Sequence, residues 1–152
     1  MAALAIAVHA LAAVAWVGGM FFALTALRPA TGPLAPEVRL ALWERVLRRF
    51  FAWVFAAIAL LLVSGYGMIA GLFGGFAHLP AYVNIMQAVG IVMMLAFFHV
   101  YFAPWRRFRA AVAAANHPEA ARQLNQIRWI VTLNLALGLL TVAVASSGRY
   151  WG

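Results

Sequence analysis

Two histidines lie within otherwise apolar stretches of the chain, and they are the first candidates for chemistry. His9 is in the stretch "HALAAVAWVGGM", and His99 is near the end of a later stretch, "NIMQAVGIVMMLAFFHVYFAP". An ionisable side chain inside a membrane-spanning helix is costly and is a functional hypothesis by default. Imidazole is a good ligand for copper and haem iron. The other two histidines, His78 and His117, fall in predicted loops, where solvated side chains are expected.

Thioether and amide side chains could complete a metal site beside His9. Met68 lies near the end of the second apolar segment, and Met86 and Gln87 lie near the start of the third. Thioether and imidazole groups together suit haem iron or a copper ion. The alternative is that the histidine only makes a hydrogen bond between helices and fixes their packing.

The two histidines are predicted at different depths in the membrane. His9 is about two turns from the start of its helix and His99 about one turn from the end of a helix that runs the same way, which separates them by roughly 10–15 Å. A single haem ligated by both is therefore disfavoured. His99 could instead meet Arg28, Arg49 or the polar face of the fourth helix, which carries Asn134. Arginines at that level could also bind haem propionates or lipid headgroups.

The segments that position these side chains are predicted to be membrane-spanning helices. Of the 152 residues, 67% are hydrophobic and 9% are charged, whereas a soluble domain is about 45–50% apolar and about 25% charged. A helix needs about 20 residues to cross the hydrocarbon. We therefore predict one all-α domain over residues 1–152, a four-transmembrane-helix bundle with helices at about 2–27, 50–73, 82–103 and 129–147.

All eleven basic residues are arginines, and their distribution predicts the orientation. Five lie between helices one and two, five lie between helices three and four or at the edge of helix four, and only Arg149 lies on the other side. The positive-inside rule puts both arginine-rich loops in the cytoplasm and both termini outside. We expect a multi-pass protein of the bacterial inner membrane with anionic lipid at these loops. A nucleic-acid partner is not expected, because the charge is split between two loops without a nucleic-acid motif.

Two loop segments carry helical patterns of their own. Residues 36–49 have apolar residues at helical spacing with arginines between them, which predicts an amphipathic helix on the cytoplasmic surface that runs into helix two. Asn116 is a predicted N-cap, with Pro118 in the first turn and Glu119 at the third helical position. The helix that begins there could continue into helix four.

Four stretches resemble the CopD copper-resistance family of integral membrane proteins: "HALAAVAWVGGMFFALTALRP", "RRFFAWVFAAIALLLVSGYGMI", "NIMQAVGIVMMLAFFHVYFAP" and "LGLLTVAVASSGRY". The resemblance covers most of the chain and implies the membrane domain of that family. Larger members are linked to copper uptake across the inner membrane, which implies a periplasmic copper protein as a partner. The chain lacks their extra helices and any copper-loading segment rich in methionine and histidine.

The first helix also resembles, more distantly, that of HemJ, a four-helix membrane protein that binds haem b and has protoporphyrinogen oxidase activity. HemJ pairs the early histidine with a lysine on the third helix. This chain contains no lysine, and the matching region reads "NIMQ" at residues 84–87. The oxidase activity is therefore disfavoured, and haem binding with a different second ligand stays open.

These features predict a CopD-type protein that binds haem b through an intramembrane histidine. His9 is the first candidate ligand and His99 the second. The predicted role is electron transfer, with a redox partner, or haem handling. Copper binding or transport is the first alternative function, and a cofactor-free membrane interaction protein is the second alternative. An apolar stretch between the two polar clusters favours an electron carrier over a continuous ion path. A hydrolase is not supported, because the chain has no Asp and all three Glu lie in predicted loops. Glycine-bearing faces on helices one, two and four, including Gly18 and Gly19, are compatible with a homodimer.

Overall fold

The computed structural model describes residues 2–151, apart from the side chains of His78 and Arg149, so the expectations for those two side chains lie outside the described residues. Within this part of the chain there are helices and turns but no strands. Four stretches are long and apolar enough to cross a membrane, which confirms the predicted all-α membrane bundle. The helices are α1 (Ala2–Ala30), α2 (Pro36–Leu72), α3 (Ala81–Phe102), α4 (Pro104–Ala113) and α5 (His117–Ser147).

Helix α2 joins the predicted amphipathic segment and the second apolar segment into one helix of 37 residues. Pro36 occupies its first position, where a missing N–H costs nothing, and at 1.5 Å per residue the helix is about 55 Å long. The apolar residues Leu40, Trp43 and Leu47 of its first half are buried inside the molecule. The amphipathic segment therefore extends the bundle beyond the apolar span.

Helix α5 likewise begins well before its apolar segment. The Asn116 side chain accepts a hydrogen bond from the Glu119 backbone N–H at 3.2 Å, and Pro118 lies in the first turn. This is the predicted N-cap, and it satisfies one of the donors that a helix start leaves unpaired. The helix then continues for 31 residues without a break.

The third predicted span ends at a local break in the helix before Pro104. Ala103 has φ −112° and ψ −86°, outside the helical region, because proline cannot donate a backbone hydrogen bond and restricts the residue before it. The short α4 that follows buries Trp105, Phe108 and Ala111 against the rest of the bundle. Its arginines, Arg106, Arg107 and Arg109, are exposed.

A π-helical turn, Ala23–Leu27, lies in α1 just before Pro29. Pro29 has no N–H to offer the preceding turn, and a π turn accommodates the interruption by inserting one extra residue. The Arg28 N–H accordingly bonds to the Ala23 carbonyl five residues earlier. The helix thus continues past the proline and carries Arg28 beyond the end of the apolar segment.

The helices pack mainly as two antiparallel pairs, α1 with α2 and α3 with α5, and α4 packs on α5 about as extensively as α3 does. Phe97 of α3 links the pairs, because its ring makes edge contacts with Phe51 and Phe55 of α2 and with Trp16 of α1. The core continues into the arginine-rich end, where α4 and the first half of α5 pack on α2. In contrast, no residue of α3 before Met93 is fully buried.

Only one residue of the predicted glycine pair in α1 supports a close helix contact. A Cβ at Gly19 would overlap the Phe50 ring of α2, whereas a Cβ at Gly18 would meet nothing within 4 Å. Gly19 therefore belongs to the α1–α2 contact, and Gly18 lies on the exposed face of the helix.

Candidate functional site

His9 lies on the face of α1 that contacts α2, in the half of the bundle away from the arginine-rich loops. Its Nδ1 is 2.9 Å from Ser64 Oγ. The side chain is half-buried, so one part of the ring packs on α2 and another part is accessible. The antiparallel pairing of α1 and α2 brings these two residues together across 55 positions of sequence.

The surroundings of Ser64 favour one tautomer of the imidazole. A serine hydroxyl has one hydrogen to donate, and Ser64 Oγ donates it to the Leu60 carbonyl of its own helix. With the hydroxyl hydrogen on the Leu60 carbonyl, the contact with His9 is a hydrogen bond from Nδ1–H to Ser64 Oγ, which is the tautomer with its proton on Nδ1. In the neutral ring this leaves Nε2 with its lone pair. A histidine that donates one ring N–H to the protein and presents the other nitrogen is the usual arrangement of a metal ligand.

Gly65 makes the close approach of the imidazole possible. A Cβ at this position would lie 3.2 Å from His9 Cε1 and 3.5 Å from Nδ1. The first distance is shorter than a comfortable carbon–carbon contact of about 3.5–4.0 Å. The pair Ser64-Gly65 therefore supplies an acceptor and room for the ring in adjacent positions of α2.

The other residues proposed to accompany His9 lie on two different helices. Met68 is four residues after Ser64, hence on the same face of α2 and one turn nearer the end of the helix. Met86 and Gln87 lie in the second turn of α3, and all three side chains are half-buried. Only Ser64 and Leu61, both on α2, have a polar contact with the His9 ring within the described chain. Met68 therefore shares the face of α2 that carries the His9 partner.

His99 has a different environment. It lies in the last turn of α3, and its side chain is exposed. The imidazole forms no hydrogen bond or ion pair with the side chain of any described residue, Arg28 and Arg49 included. Asn134, on the polar face of α5, instead donates to the Met93 carbonyl at 3.2 Å. The structure therefore does not join His99 to the groups considered for it, and the described residues contain no cluster of three or more His, Asp or Glu side chains that could hold a metal.

A model of the family described as CopD, copper resistance protein D, matches residues 44–147. The chain belongs to the CopD family. The matched range includes Ser64, Gly65 and Met68 and excludes His9, which lies before it. No curated protein and no solved structure matches the chain. Family and helices together make it a multi-pass membrane protein of the CopD type.

The interior of this CopD protein holds a second polar feature, between α1, α2, α3 and α5. A cavity of about 10 Å³ is lined mainly by apolar side chains, with Asn134 as its polar member. The Asn134 side-chain oxygen is buried and has no hydrogen-bond partner. A space of this size is about that of one water molecule, so a single bound water could satisfy the oxygen.

Ser64 and Gly65 are the site residues that the sequence analysis missed. Their signal is present, because a hydroxyl and a glycine adjoin within the apolar stretch "LLLVSGYG". Serine in a membrane helix more often bonds to its own backbone, which Ser64 also does. Its second role depends on the pairing register of α1 and α2, which composition does not reveal.

Proposed function

We propose that this CopD-family protein binds a copper ion through Nε2 of His9, in the half of the membrane bundle away from the arginine-rich loops. The observation that carries the proposal is the hydrogen bond between His9 and Ser64. This contact holds the ring on α2, and with the proton on Nδ1 the lone pair of Nε2 is available to a metal. Such outer partners strengthen metal binding. Copper also agrees with the description of the family as one of copper resistance.

A single imidazole does not hold copper tightly, and we propose the thioether of Met68 as a second ligand. Imidazole and thioether are a favourable pair for copper, and the soft sulfur favours Cu(I). Met68 lies one turn from Ser64 on the same face of α2. Met86 and Gln87 of α3 are the further candidates, since they lie in the same half of the bundle.

Haem b is the second candidate, because Nε2 of histidine is also a common axial ligand of haem iron. The cavity beside Trp16 and Asn134 has a volume of only about 10 Å³, so it does not fit a macrocycle. What favours the candidate is the partial exposure of the His9 side chain, which would let a haem lie on the outside of the bundle. The electron-transfer and haem-handling hypotheses depend on this external position.

The test is metal and haem content of the full chain purified in mild detergent, followed by titration with Cu(I). We expect about one copper per chain, lost in His9→Ala and weakened in Met68→Leu. His99→Ala is the matched control, because it removes an exposed imidazole from the same bundle. Copper retained by His9→Ala would contradict the proposal. A Soret band that disappears in His9→Ala would replace copper with haem b as the ligand. If the purified protein binds neither copper nor haem, His9 is a packing residue.

We also propose that the arginine-rich loops face the cytoplasm of a bacterium, with both termini outside. Arginine asymmetry supports this orientation, and it would put His9 in the outer half of the inner membrane, where a periplasmic copper protein could deliver the ion. A reporter active only outside the cytoplasm, fused after the last residue, should be active. If only a reporter that works in the cytoplasm is active at this position, the proposed orientation is wrong and the termini face the cytoplasm.

A further inference from the structure

Three arginines from separate parts of the chain surround the loop between α1 and α2. The guanidinium of Arg128, on α5, lies over the Trp43 ring at 5.0 Å. The Trp43 indole N–H donates to Thr31 Oγ1 at 3.1 Å, and the Thr31 hydroxyl donates to the Arg28 carbonyl at 3.1 Å. These contacts tie the end of α1 to α2 and α5 at one place.

The third arginine enters from the first turn of α2. Arg39 Nη1 donates to the Gly32 carbonyl in the same loop, at 3.4 Å. The charges of Arg28 and Arg39 are both close enough to act on Arg128. We call Arg28, Arg39 and Arg128 the arginine triad.

The triad has no carboxylate to balance it. Among the described residues, Glu44 pairs with Arg48 and Arg109, Glu119 pairs with Arg122, and Glu37 lies 3.6 Å from His117 Nδ1. No member of the triad forms an ion pair with an acidic side chain in that part of the chain. Like charges held together repel one another, and the repulsion is stronger where water is partly excluded.

One donor of the triad is also unsatisfied. Arg128 Nε is buried and has no hydrogen-bond partner. Buried N–H groups are nearly always paired, and one attached to a charged group is especially costly to leave alone. Uncompensated charge and an unpaired donor at one place are both relieved by the same ligand, an anion with several acceptor oxygens.

We propose that the arginine triad and the Thr31 loop form a binding site for a phosphate group, separate from the copper site at His9. The headgroup of an anionic phospholipid is the source that the position favours. Arg28 directly follows the first apolar segment, and Arg128 directly precedes the last one. Both therefore lie at the level where hydrocarbon gives way to headgroups, and basic pockets between helices at that level bind anionic lipids.

The experiment measures thermal unfolding of the full chain in uncharged detergent, followed by tryptophan fluorescence. Four additions are compared: phosphatidylglycerol, zwitterionic phosphatidylcholine, inorganic phosphate, and chloride at the same ionic strength. We expect phosphatidylglycerol to raise the melting temperature in a saturable way and phosphatidylcholine and chloride to have little effect. If inorganic phosphate also stabilises the protein, the phosphate-binding site is supported, but its ligand is a soluble anion rather than a lipid headgroup.

Charge removal at and away from the site decides whether the triad is responsible. Arg128→Gln should raise the half-saturating phosphatidylglycerol fraction about tenfold, as expected for losing charge-assisted hydrogen bonds. Arg45→Gln is the matched control, because it removes one exposed charge from α2 without touching the triad. If Arg128→Gln does not fold, Arg28→Gln and Arg39→Gln, whose side chains lie nearer the surface, must each weaken the response. Equal losses in the control, or no stabilisation by either phosphate source, would overturn the proposal.

Discussion

Replacing Ser64 by alanine should weaken copper binding at His9 without removing any metal ligand. The substitution deletes the oxygen that lies 2.9 Å from His9 Nδ1. The Nδ1–H then loses its partner, and the ring gains by moving its proton to Nε2, where water or lipid headgroups can reach it. That tautomer has no lone pair on the nitrogen proposed to bind copper.

The size of the effect follows from what replaces the lost contact. Removal of an outer partner of a metal-bound histidine usually costs about 10–100-fold in metal affinity. The Leu61 carbonyl is a second acceptor near the ring and can take over part of the role of Ser64. We therefore expect the lower end of the range, about a tenfold loss.

Two measurements test this prediction. Competition with a coloured Cu(I) chelator gives the affinity, and ¹⁵N spectra of histidine-labelled protein report which ring nitrogen is protonated. Ser146→Ala is the matched control, because that hydroxyl donates only to carbonyls of its own helix. The reasoning is refuted if Ser64→Ala binds copper as tightly as the unmodified chain, or if the ¹⁵N spectrum of the unmodified protein shows Nε2 protonated.

Three further substitutions test the packing around the site and the helices that position it. Gly65→Ala should weaken copper binding, because the new methyl group would lie 3.2 Å from the imidazole. Gly67→Ala is the control and should leave copper binding unchanged, because its methyl group would meet nothing within 4 Å. Competition with the Cu(I) chelator measures the copper affinity of both variants. Asn116→Ala should lower the unfolding free energy by about 1 kcal/mol through loss of the α5 cap, measured by denaturation followed by circular dichroism. Asn134→Leu should change the unfolding free energy by less than about 1 kcal/mol, because membrane hydrogen bonds average about 0.6 kcal/mol and the substitution removes an unpaired oxygen. A large loss of unfolding free energy in the same assay would show that the oxygen has a partner such as water.

The fold was largely predictable because its signals are local. Apolar runs of about 20 residues predict the four spans, and Asn116 with Glu119 three residues later predicts the start of α5. The same signals predict that residues 36–49 run into the second span, but they do not show that Leu40, Trp43 and Leu47 are buried inside the bundle. The charged residues 36–49 form one helix with the second span because no proline or glycine interrupts the sequence between them.

The candidate site was predictable only in part. His9 stands out from its own sequence, because an imidazole in an apolar stretch is costly. Ser64 and Gly65 do not, since their relation to His9 depends on how far α1 is shifted along α2. His99 shows the opposite limit: its position in an apolar segment suggested a partner inside the bundle, and the rotation of α3 leaves its side chain exposed.

The same contacts raise the question of whether Ser64 serves binding or packing. Apolar contacts between membrane helices do not strongly fix register, because lipid chains are as apolar as the helix surfaces, so polar contacts and small residues decide it. The α1–α2 pair has a polar contact near each end, His9 with Ser64 and Trp43 with Thr31. A register role alone would make His9→Ala and Ser64→Ala equally destabilising, with copper content falling only as the fold is lost. A ligand role requires more: Ser64→Ala must lower copper affinity in a population that still melts cooperatively, with the imidazole proton moved to Nε2.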